Sequence, residues 1–425
     1  MMNRKTESRG LNRNTFAWAF YDWANSAFAL SVLAVLFPLV LGNYWSVGDG
    51  GATVTVRLGW ITFAASAIVC ITAPIFGTIA DAGGYRKKFL FYLALIGAVM
   101  TASLGLVGQG NWPLALGVYL VASIGYYNST VFYDSLLIDV TEPQHYSFVS
   151  TLGFSLGYLG GALLLALHLW MVKSPATFGL AGIPEAFSMA FVSVGIWWIL
   201  FLIPLMYFVP ERHSAIEVTS GTIRAAYAEL SNTLHQIGKY RNIAVFLGGY
   251  WLYVGGVFTV IFMAVNYGQR LGFADQDLVF ALLITNFAGF PATLLYGLAA
   301  RRFGAKAGIY FALLVYIGAC MWGMVMTTIE EFYIMAVTIG CVQGGVQGLS
   351  RSLYASIIPQ DQPGEFFGFY NMTTKFAHVV GPAMVAIAAM LSDDPKWVLL
   401  VLMPLFFCGG FLLTLVRVQS PRPLN

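Results

Sequence analysis

The sequence predicts an all-α membrane protein with twelve transmembrane helices in two similar six-helix halves. Hydrophobic residues make up 58% of the 425 positions and charged residues only 10%, whereas a soluble domain carries roughly 25% charged residues. Apolar runs of spanning length recur along the chain, and a glycine-containing polar motif recurs 220 residues after its first copy. Because so few charges cannot cover a water-exposed surface, lipid is the expected solvent.

Twelve segments have the length and apolarity of a membrane-spanning helix, which needs about 20 mostly apolar residues. Pro38 is expected to bend the first and longest segment. That segment is too long for the apolar core of a signal peptide, so we expect a spanning anchor. The predicted spans are residues 16–45, 58–80, 89–108, 113–140, 148–171, 187–209, 243–265, 278–299, 307–327, 332–358, 366–391 and 397–417.

The distribution of basic residues predicts the orientation of these spans. Twelve spans place both termini on one side, and 16 of the 22 Lys and Arg residues fall on that side. Only Arg57, Lys173, Arg270 and Lys396 fall on the other. By the positive-inside rule we expect both termini to be cytoplasmic in a multi-pass protein of the cytoplasmic (inner) membrane.

An internal repeat divides the chain into two halves. The motif GTIADAGGYRKK after the second span matches GLAARRFGAKAG after the eighth. The matched pairs are Gly77 with Gly297, Gly84 with Gly304, and Arg86 with Lys306. The predicted organisation is an N-terminal bundle over residues 1–209, a polar cytoplasmic linker over 210–242 and a C-terminal bundle over 243–425. Parallel repeats of six helices are the architecture of major facilitators, whose solute site lies between the halves.

The first copy of the motif resembles the major facilitator loop between the second and third helices. It contains Gly77, Asp81, Gly84, Arg86 and Lys87. Glycines permit a tight turn and close helix approach, and the acid and bases could exchange ion pairs as the halves rock. An ordinary positive-inside loop would explain the bases but neither the acid nor the glycine spacing. The second copy lacks the acid, so any conformational switch is expected mainly in the first half.

Three further segments resemble the unknown-major-facilitator family, which is related to the autophagy-related vacuolar amino-acid effluxers. They are FAWAFYDWANSAFA (16–29), FSLGYLGGALL (154–164) and GLSRSLYASIIPQDQPGEFFGFYNMTTKF (348–376). The resemblance implies the major facilitator fold, solute export by alternating access, and amino acids as the substrate class. It also implies that helices one, four, seven and ten surround the solute cavity, with the eleventh at its cytoplasmic mouth.

Four charged residues lie six or more residues inside both ends of a predicted span: Asp22, Asp134, Arg351 and Lys375. Each charge at mid-bilayer costs about 2.5–3.5 kcal/mol on insertion scales, so all four are expected to face the protein interior. On each of these helices, polar residues at helical spacing lie on the same face as the charge. The candidate solute-cavity residues are Tyr21, Asp22, Asn25, Ser26, Tyr127, Asp134, Tyr250, Gln343, Gln347, Arg351, Lys375 and His378.

The depth of these charges suggests three interpretations. Each lies six to nine residues from the cytoplasmic end of its predicted span, with the acids in the first half and the bases in the second. Opposite charges at one depth could close the cytoplasmic side by ion pairs between the halves. Alternatively, Arg351 or Lys375 binds a substrate carboxylate and Asp22 its amine, or the pairs only hold the bundle together. His378 could carry a proton, since histidine titrates near neutrality, or hydrogen-bond to a neighbouring helix.

No motif points to catalysis, a cofactor or a metal. A phosphate-binding glycine loop is absent, so ATP is not the expected energy source, and the four cysteines lack metal-site spacing. The net charge of +3 is too small to indicate a nucleic-acid partner. The expected function is secondary transport of a small polar solute by a monomer. Protons or another ion are the candidates for coupling to this transport. Proton symport of a sugar or other organic solute, and a non-transporting receptor or scaffold, remain alternatives.

Overall fold

The computed structural model describes residues 11–211, Ala228, 239–391 and 396–418, and within them the chain forms twelve long helices and no strand. The helices are α1 (Arg13–Trp45), α2 (Gly51–Gly83), α3 (Arg86–Leu104), α4 (Trp112–Ser135), α5 (Tyr146–Lys173), α6 (Ile183–Phe208), α7 (Arg241–Arg270), α8 (Asp275–Phe303), α9 (Ala305–Gly323), α10 (Ile329–Ile357), α11 (Pro363–Leu391) and α12 (Lys396–Leu415). Short helical turns at Leu137–Val140, Pro143–His145 and Pro175–Phe178 occupy connections. The prediction of an all-α fold is confirmed, and the number of long helices equals the number of predicted spans.

Ten helices, α1 to α10, are long and apolar enough to cross a membrane in the part of the chain that the structure describes. The helices α11 and α12 follow with 29 and 20 residues. Each of the twelve predicted spans overlaps one helix. Several helices run past the predicted apolar cores because polar terminal turns continue beyond the hydrocarbon region.

The helix ends show why these residues start and stop where they do. Asn12 and Thr15 form a capping box at the start of α1, as do Thr328 and Glu331 at the start of α10. At the end of α2, Gly84 adopts a left-handed backbone with φ of 66°. Its repeat partner Gly304 also has positive φ, at 81°, a conformation that glycine adopts without a Cβ penalty. The repeat is therefore visible in backbone conformation as well as in sequence.

The long helix α1 departs from α-helical geometry around Pro38. Its backbone is π-helical over Phe28–Leu36 and again over Leu41–Trp45, with Phe37–Val40 between them in α geometry. Proline lacks the N–H that an i→i−4 bond requires, and π turns are a recognised way in which helices absorb such interruptions.

The twelve helices form two bundles, and four pairs of helices make the most extensive contacts between them. In the first half, α1 packs against α5 and α6, and α3 against α4 and α6; in the second, α7 packs against α11 and α12, and α10 against α8 and α9. The halves meet where α2 and α4 contact α11, and where α5 contacts α8 and α10. We call the end of the bundle where α1 begins and α12 ends the terminal end. The predicted linker, 210–242, lies largely outside the described residues, so its bounds stay a prediction.

Candidate functional site

The four charged residues that lie deep in the spans are all inside the protein. Their fractional exposures are 7% for Asp22, 3% for Asp134, 2% for Arg351 and 5% for Lys375. They come from α1, α4, α10 and α11, so two helices of each half contribute one charge each. None of these charges is placed against lipid.

Arg351 extends from α10 of the second half into the first half. Its Nη1 donates to Asp134 Oδ1 at 2.8 Å, and its Nη2 lies 3.3 Å from Asp22 Oδ2. The remaining bonds go to α5: Nε donates to Ser150 Oγ and Nη2 to the Ser150 carbonyl oxygen, both at 2.8 Å. Four hydrogen bonds thus use most of the five N–H donors of the guanidinium. We call Asp22, Asp134 and Arg351 the Arg351 cluster.

Aromatic rings surround the guanidinium and exclude solvent from it. The Cζ atom lies 4.3 Å from the ring centroid of Phe154, 4.9 Å from that of Trp18 and 5.2 Å from that of Tyr133. The rings of Trp18 and Tyr133 stack on each other with centroids 4.4 Å apart. Because the surroundings are apolar, the ion pairs are only weakly screened by water and salt.

Two neutral side chains supply further hydrogen bonds to the acids. Tyr133 Oη donates to Asp22 Oδ2 at 2.8 Å, and Asn371 Nδ2 of α11 donates to Asp134 Oδ2 at 3.1 Å. The first bond lies within the N-terminal half, whereas the second joins the halves. Buried carboxylates are tolerated when both charge and lone pairs are satisfied in this way.

Gly153 on α5 makes room for the Arg351 cluster. A Cβ atom at this position would lie 2.7 Å from both Asp22 Oδ2 and Tyr133 Oη, and 3.2 Å from Arg351 Nη2. Sequence reasoning placed α5 outside the site and so missed Ser150 and Gly153, and on α4 it missed Tyr133. The available signal was the run of small and polar residues at helical spacing in YSFVSTLGFSLGYLGG.

Lys375 does not join the Arg351 cluster, so of the ion pairs considered in the first of the three interpretations the structure contains only those of Arg351. Its Nζ lies 3.1 Å from the ring centroid of Tyr127, and the described residues place no carboxylate within 4 Å of it. The helix α11 begins at Pro363, three residues before the predicted start of 366. Lys375 is therefore twelve residues inside its helix, deeper than the six to nine residues expected.

The other predicted cavity residues differ in whether they bond across the interface between the halves. Gln347 Nε2 donates to Tyr158 Oη at 3.1 Å across the interface, and Tyr250 Oη lies 3.1 Å from Thr374 Oγ1 within the second half. Tyr21 Oη likewise bonds within its own half, donating to Ser129 Oγ at 3.0 Å. Ser26 faces Gly157 of α5, Asn25 and Gln343 are buried, and the side chain of His378 lies outside the described residues.

The predicted switch loop forms a second connection between the halves. Asp81 Oδ2 accepts from the backbone N–H of Glu365 at 2.9 Å, where α11 begins. Arg86 lies between two acids, with Nε 3.6 Å from Asp81 Oδ1 and Nη2 2.7 Å from Asp139 Oδ2. The carboxylate of Asp81 also benefits from the positive end of the α11 dipole.

The remaining loop residues support close packing and helix termination. Gly77 approaches α11 so closely that a Cβ would overlap the carbonyl group of Gly364. Lys87 Nζ donates to the carbonyl oxygens of Met206 and Val209, where α6 ends, at 3.0 and 2.6 Å. A lysine at this position satisfies carbonyl groups that a helix C-terminus leaves unpaired.

Further contacts between the halves lie near the terminal end. Ser147 Oγ of α5 lies 3.1 Å from Ser352 Oγ of α10, and Ser150 Oγ donates to the Gly348 carbonyl at 2.8 Å. Tyr146 Oη donates to Gln360 Oε1 at 3.2 Å. The two halves are thus in direct contact at the terminal end. In the described ranges no group of three or more His, Cys, Asp or Glu side chains is placed to hold a metal ion.

Comparisons with known proteins agree with this architecture. The family model described as "vacuole effluxer Atg22 like" matches residues 60–140 and 138–423. An uncharacterized MFS-type transporter of Bacillus subtilis, YxiO, is 33% identical over 428 residues, covering 100% of this chain and 98% of the relative. Autophagy-related protein 22 of Eremothecium gossypii is 21% identical over 441 residues, covering 88% and 85%.

A solved structure shows the same fold at low sequence identity. The major facilitator superfamily proton:xylose symporter XylE superposes with a TM-score of 0.73 at 13% identity, covering 96% of both chains. The family match spans most of the sequence, and the buried charges and inter-half contacts suit a transporter of this fold. The chain belongs to the Atg22-like family of major facilitator superfamily transporters.

Proposed function

We propose that this protein moves a small polar solute across the cytoplasmic membrane by alternating access, with the Arg351 cluster holding the terminal end closed. The observation that carries the proposal is that Arg351 of the second half bonds to Asp22 and Asp134 of the first. A rocking motion that opens the terminal end must separate these groups. The same motion must also break the bond from the Glu365 N–H to Asp81.

The orientation follows from the basic residues. The positive-inside rule favours a cytoplasmic position for the terminal end, and in that orientation the described conformation is closed toward the cytoplasm. Solute would then have access from the opposite side, and separation of the Arg351 cluster would open the cytoplasmic path. Pairs that only held the bundle together would not need to lie across the interface between the halves.

Amino acids are the proposed substrate class and efflux the proposed direction. The family description names an effluxer, and the resemblance of the segments 16–29 and 348–376 implies amino-acid export. A scaffold without transport would gain nothing from buried charges, each of which is costly to insert.

The charge balance of the Arg351 cluster favours a proton as the coupling ion. Two carboxylates share one guanidinium, so the cluster carries one formal negative charge in excess. Protonation of either acid would remove one ion pair and weaken the connection between the halves. Proton uptake during solute exchange, followed with a pH-sensitive dye in the vesicle lumen, tests this coupling.

Counterflow in proteoliposomes tests the proposal as a whole. Vesicles loaded with one unlabelled amino acid or sugar at a time are diluted into the labelled form of the same compound. We expect labelled amino acids to accumulate with the wild type and with Arg57→Met, and not with Arg351→Met. Exchange of sugars without exchange of amino acids would refute the substrate class. A folded wild-type protein that exchanges nothing would refute transport itself.

A further inference from the structure

Lys375 lies on the inner side of the Arg351 cluster. It is twelve residues into α11, about 18 Å from the start of the helix at 1.5 Å per residue. One turn nearer the terminal end, Asn371 already reaches Asp134. The Lys375 ammonium instead meets Tyr127, which precedes Asp134 on α4 by seven residues, or about 10 Å along the helix. The ammonium is thus displaced toward the centre of the bundle.

The charge of Lys375 has no anionic partner among the side chains that the structure describes. The two acids of the Arg351 cluster are already engaged: Asp22 by Arg351 and Tyr133, and Asp134 by Arg351 and Asn371. An ammonium group has three N–H donors. The ring face of Tyr127 attracts the cation through its quadrupole, but it carries no negative charge that would neutralise the ammonium. A buried cation that remains unpaired is unfavourable, so the position is suited to an anion that arrives from outside the chain.

The two buried bases therefore have different roles. Arg351, whose planar fork suits a bidentate carboxylate, is used by the protein's own acids. Lys375 offers a single positive charge with rotatable donors next to an aromatic face, and one positive charge balances a monoanion but only half of a dianion. A solute carboxylate placed there would also lie within about two helical turns of the ion pairs that close the terminal end.

We propose that Lys375, with the ring of Tyr127, forms the subsite that binds the carboxylate of the transported solute. The proposal rests on the proposed transport function and names the residue that selects for a carboxylate. It excludes Arg351 as the carboxylate-binding residue in this conformation. Solutes that lack a carboxylate are predicted to be poor ligands.

The test compares each acid with its uncharged amide on the purified full-length protein. The probes are L-leucine, L-glutamine and L-arginine with their α-carboxamides, as competitors in counterflow and as ligands in thermal unfolding. In the wild type we expect at least one amino acid to bind tenfold or more tightly than its amide. Lys375→Met is expected to remove that preference, so that acid and amide bind equally, and Lys375→Arg to retain part of it.

A matched control separates this effect from loss of any lysine. Lys88 also lies over a tyrosine ring, that of Tyr85, at 4.3 Å, but its side chain is exposed. Lys88→Met should keep the full preference for the acid. If Lys375→Met does not fold, the preference for acid over amide is measured in Lys375→Gln and compared with that of the wild type, and this comparison tests the same role of Lys375.

Two results would overturn the proposal. One is a folded Lys375→Met that keeps the wild-type preference for acid over amide. The other is a wild type that exchanges solute but binds acid and amide equally. Both leave transport intact, whereas absence of exchange by the wild type for every solute would refute the proposed function instead.

Discussion

Replacement of Arg351 by methionine should open the terminal end of the bundle. The substitution leaves Asp22 and Asp134 buried with only the neutral donors Tyr133 and Asn371. Removal of one partner from a buried ion pair costs about 3–5 kcal/mol. Because these ion pairs form only while the halves are in contact, the cost falls on the closed arrangement. A loss of this size changes the ratio of closed to open molecules by a factor of about 10² to 10³ or more.

Disulfide formation between the halves measures this ratio. Ser147 and Ser352 have hydroxyl oxygens 3.1 Å apart across the interface, so cysteines at both positions should crosslink in the closed state. The native Cys70, Cys320, Cys341 and Cys408 are first replaced by alanine. We expect rapid crosslinking in this background, and at least tenfold slower crosslinking when Arg351→Met is added.

The chain offers a control with similar chemistry at the other end. Arg57 bonds to Asp49 at 2.6 Å and to Ser46 at 3.0 Å, and its Cζ lies 3.7 Å from the ring centroid of Trp112. Being more exposed and within one half, this pair is worth about 1 kcal/mol or less. Arg57→Met should leave crosslinking unchanged. Equal crosslinking rates in Arg351→Met, Arg57→Met and the unsubstituted background would refute the closing role of Arg351.

Three further substitutions test parts of the same arrangement. Gly153→Ala places a Cβ 2.7 Å from a carboxylate oxygen of the Arg351 cluster and should cost about 1–3 kcal/mol by overpacking, seen as a lower midpoint of thermal unfolding. Gly77→Ala should slow inter-half crosslinking because the added Cβ overlaps α11. Gly59→Ala should not slow it, because nothing lies within 4 Å of that position. Equal rates for the two variants would contradict the packing argument. Asp81→Asn should slow the crosslinking by a few fold, since it removes a charge worth about 0.3–2 kcal/mol at the start of α11 while keeping an acceptor for the Glu365 N–H; an unchanged rate would show that this carboxylate does not favour closure.

The periodic and compositional features of the chain were predictable without coordinates. Spanning length, the repeat and the positive φ of Gly84 and Gly304 depend on local sequence, because helix formation and glycine turns are local properties. Burial of Asp22, Asp134, Arg351 and Lys375 was also expected, since lipid cannot solvate an ion. The family follows from motifs that lie in continuous segments.

The identity of the partners was not predictable in the same way. Both bases lie on polar faces of helices from the second half, and spacing alone could not show that only Arg351 reaches the acids. The contribution of α5 was missed because Ser150 and Gly153 look like ordinary packing residues in a glycine-rich helix. Their role depends on contacts with helices that are distant in sequence.

The sequence by itself determined that this protein lies in a membrane, that it consists of two related helical halves, and that four charges must face inward. Only the tertiary structure decided how those charges divide: Arg351 bonds to both acids across the interface, and Lys375 is left against the ring of Tyr127. The physical reason is range. Hydrophobicity and helix geometry act along the chain, whereas an ion pair depends on distances of a few ångströms that are set by the packing of helices from opposite halves.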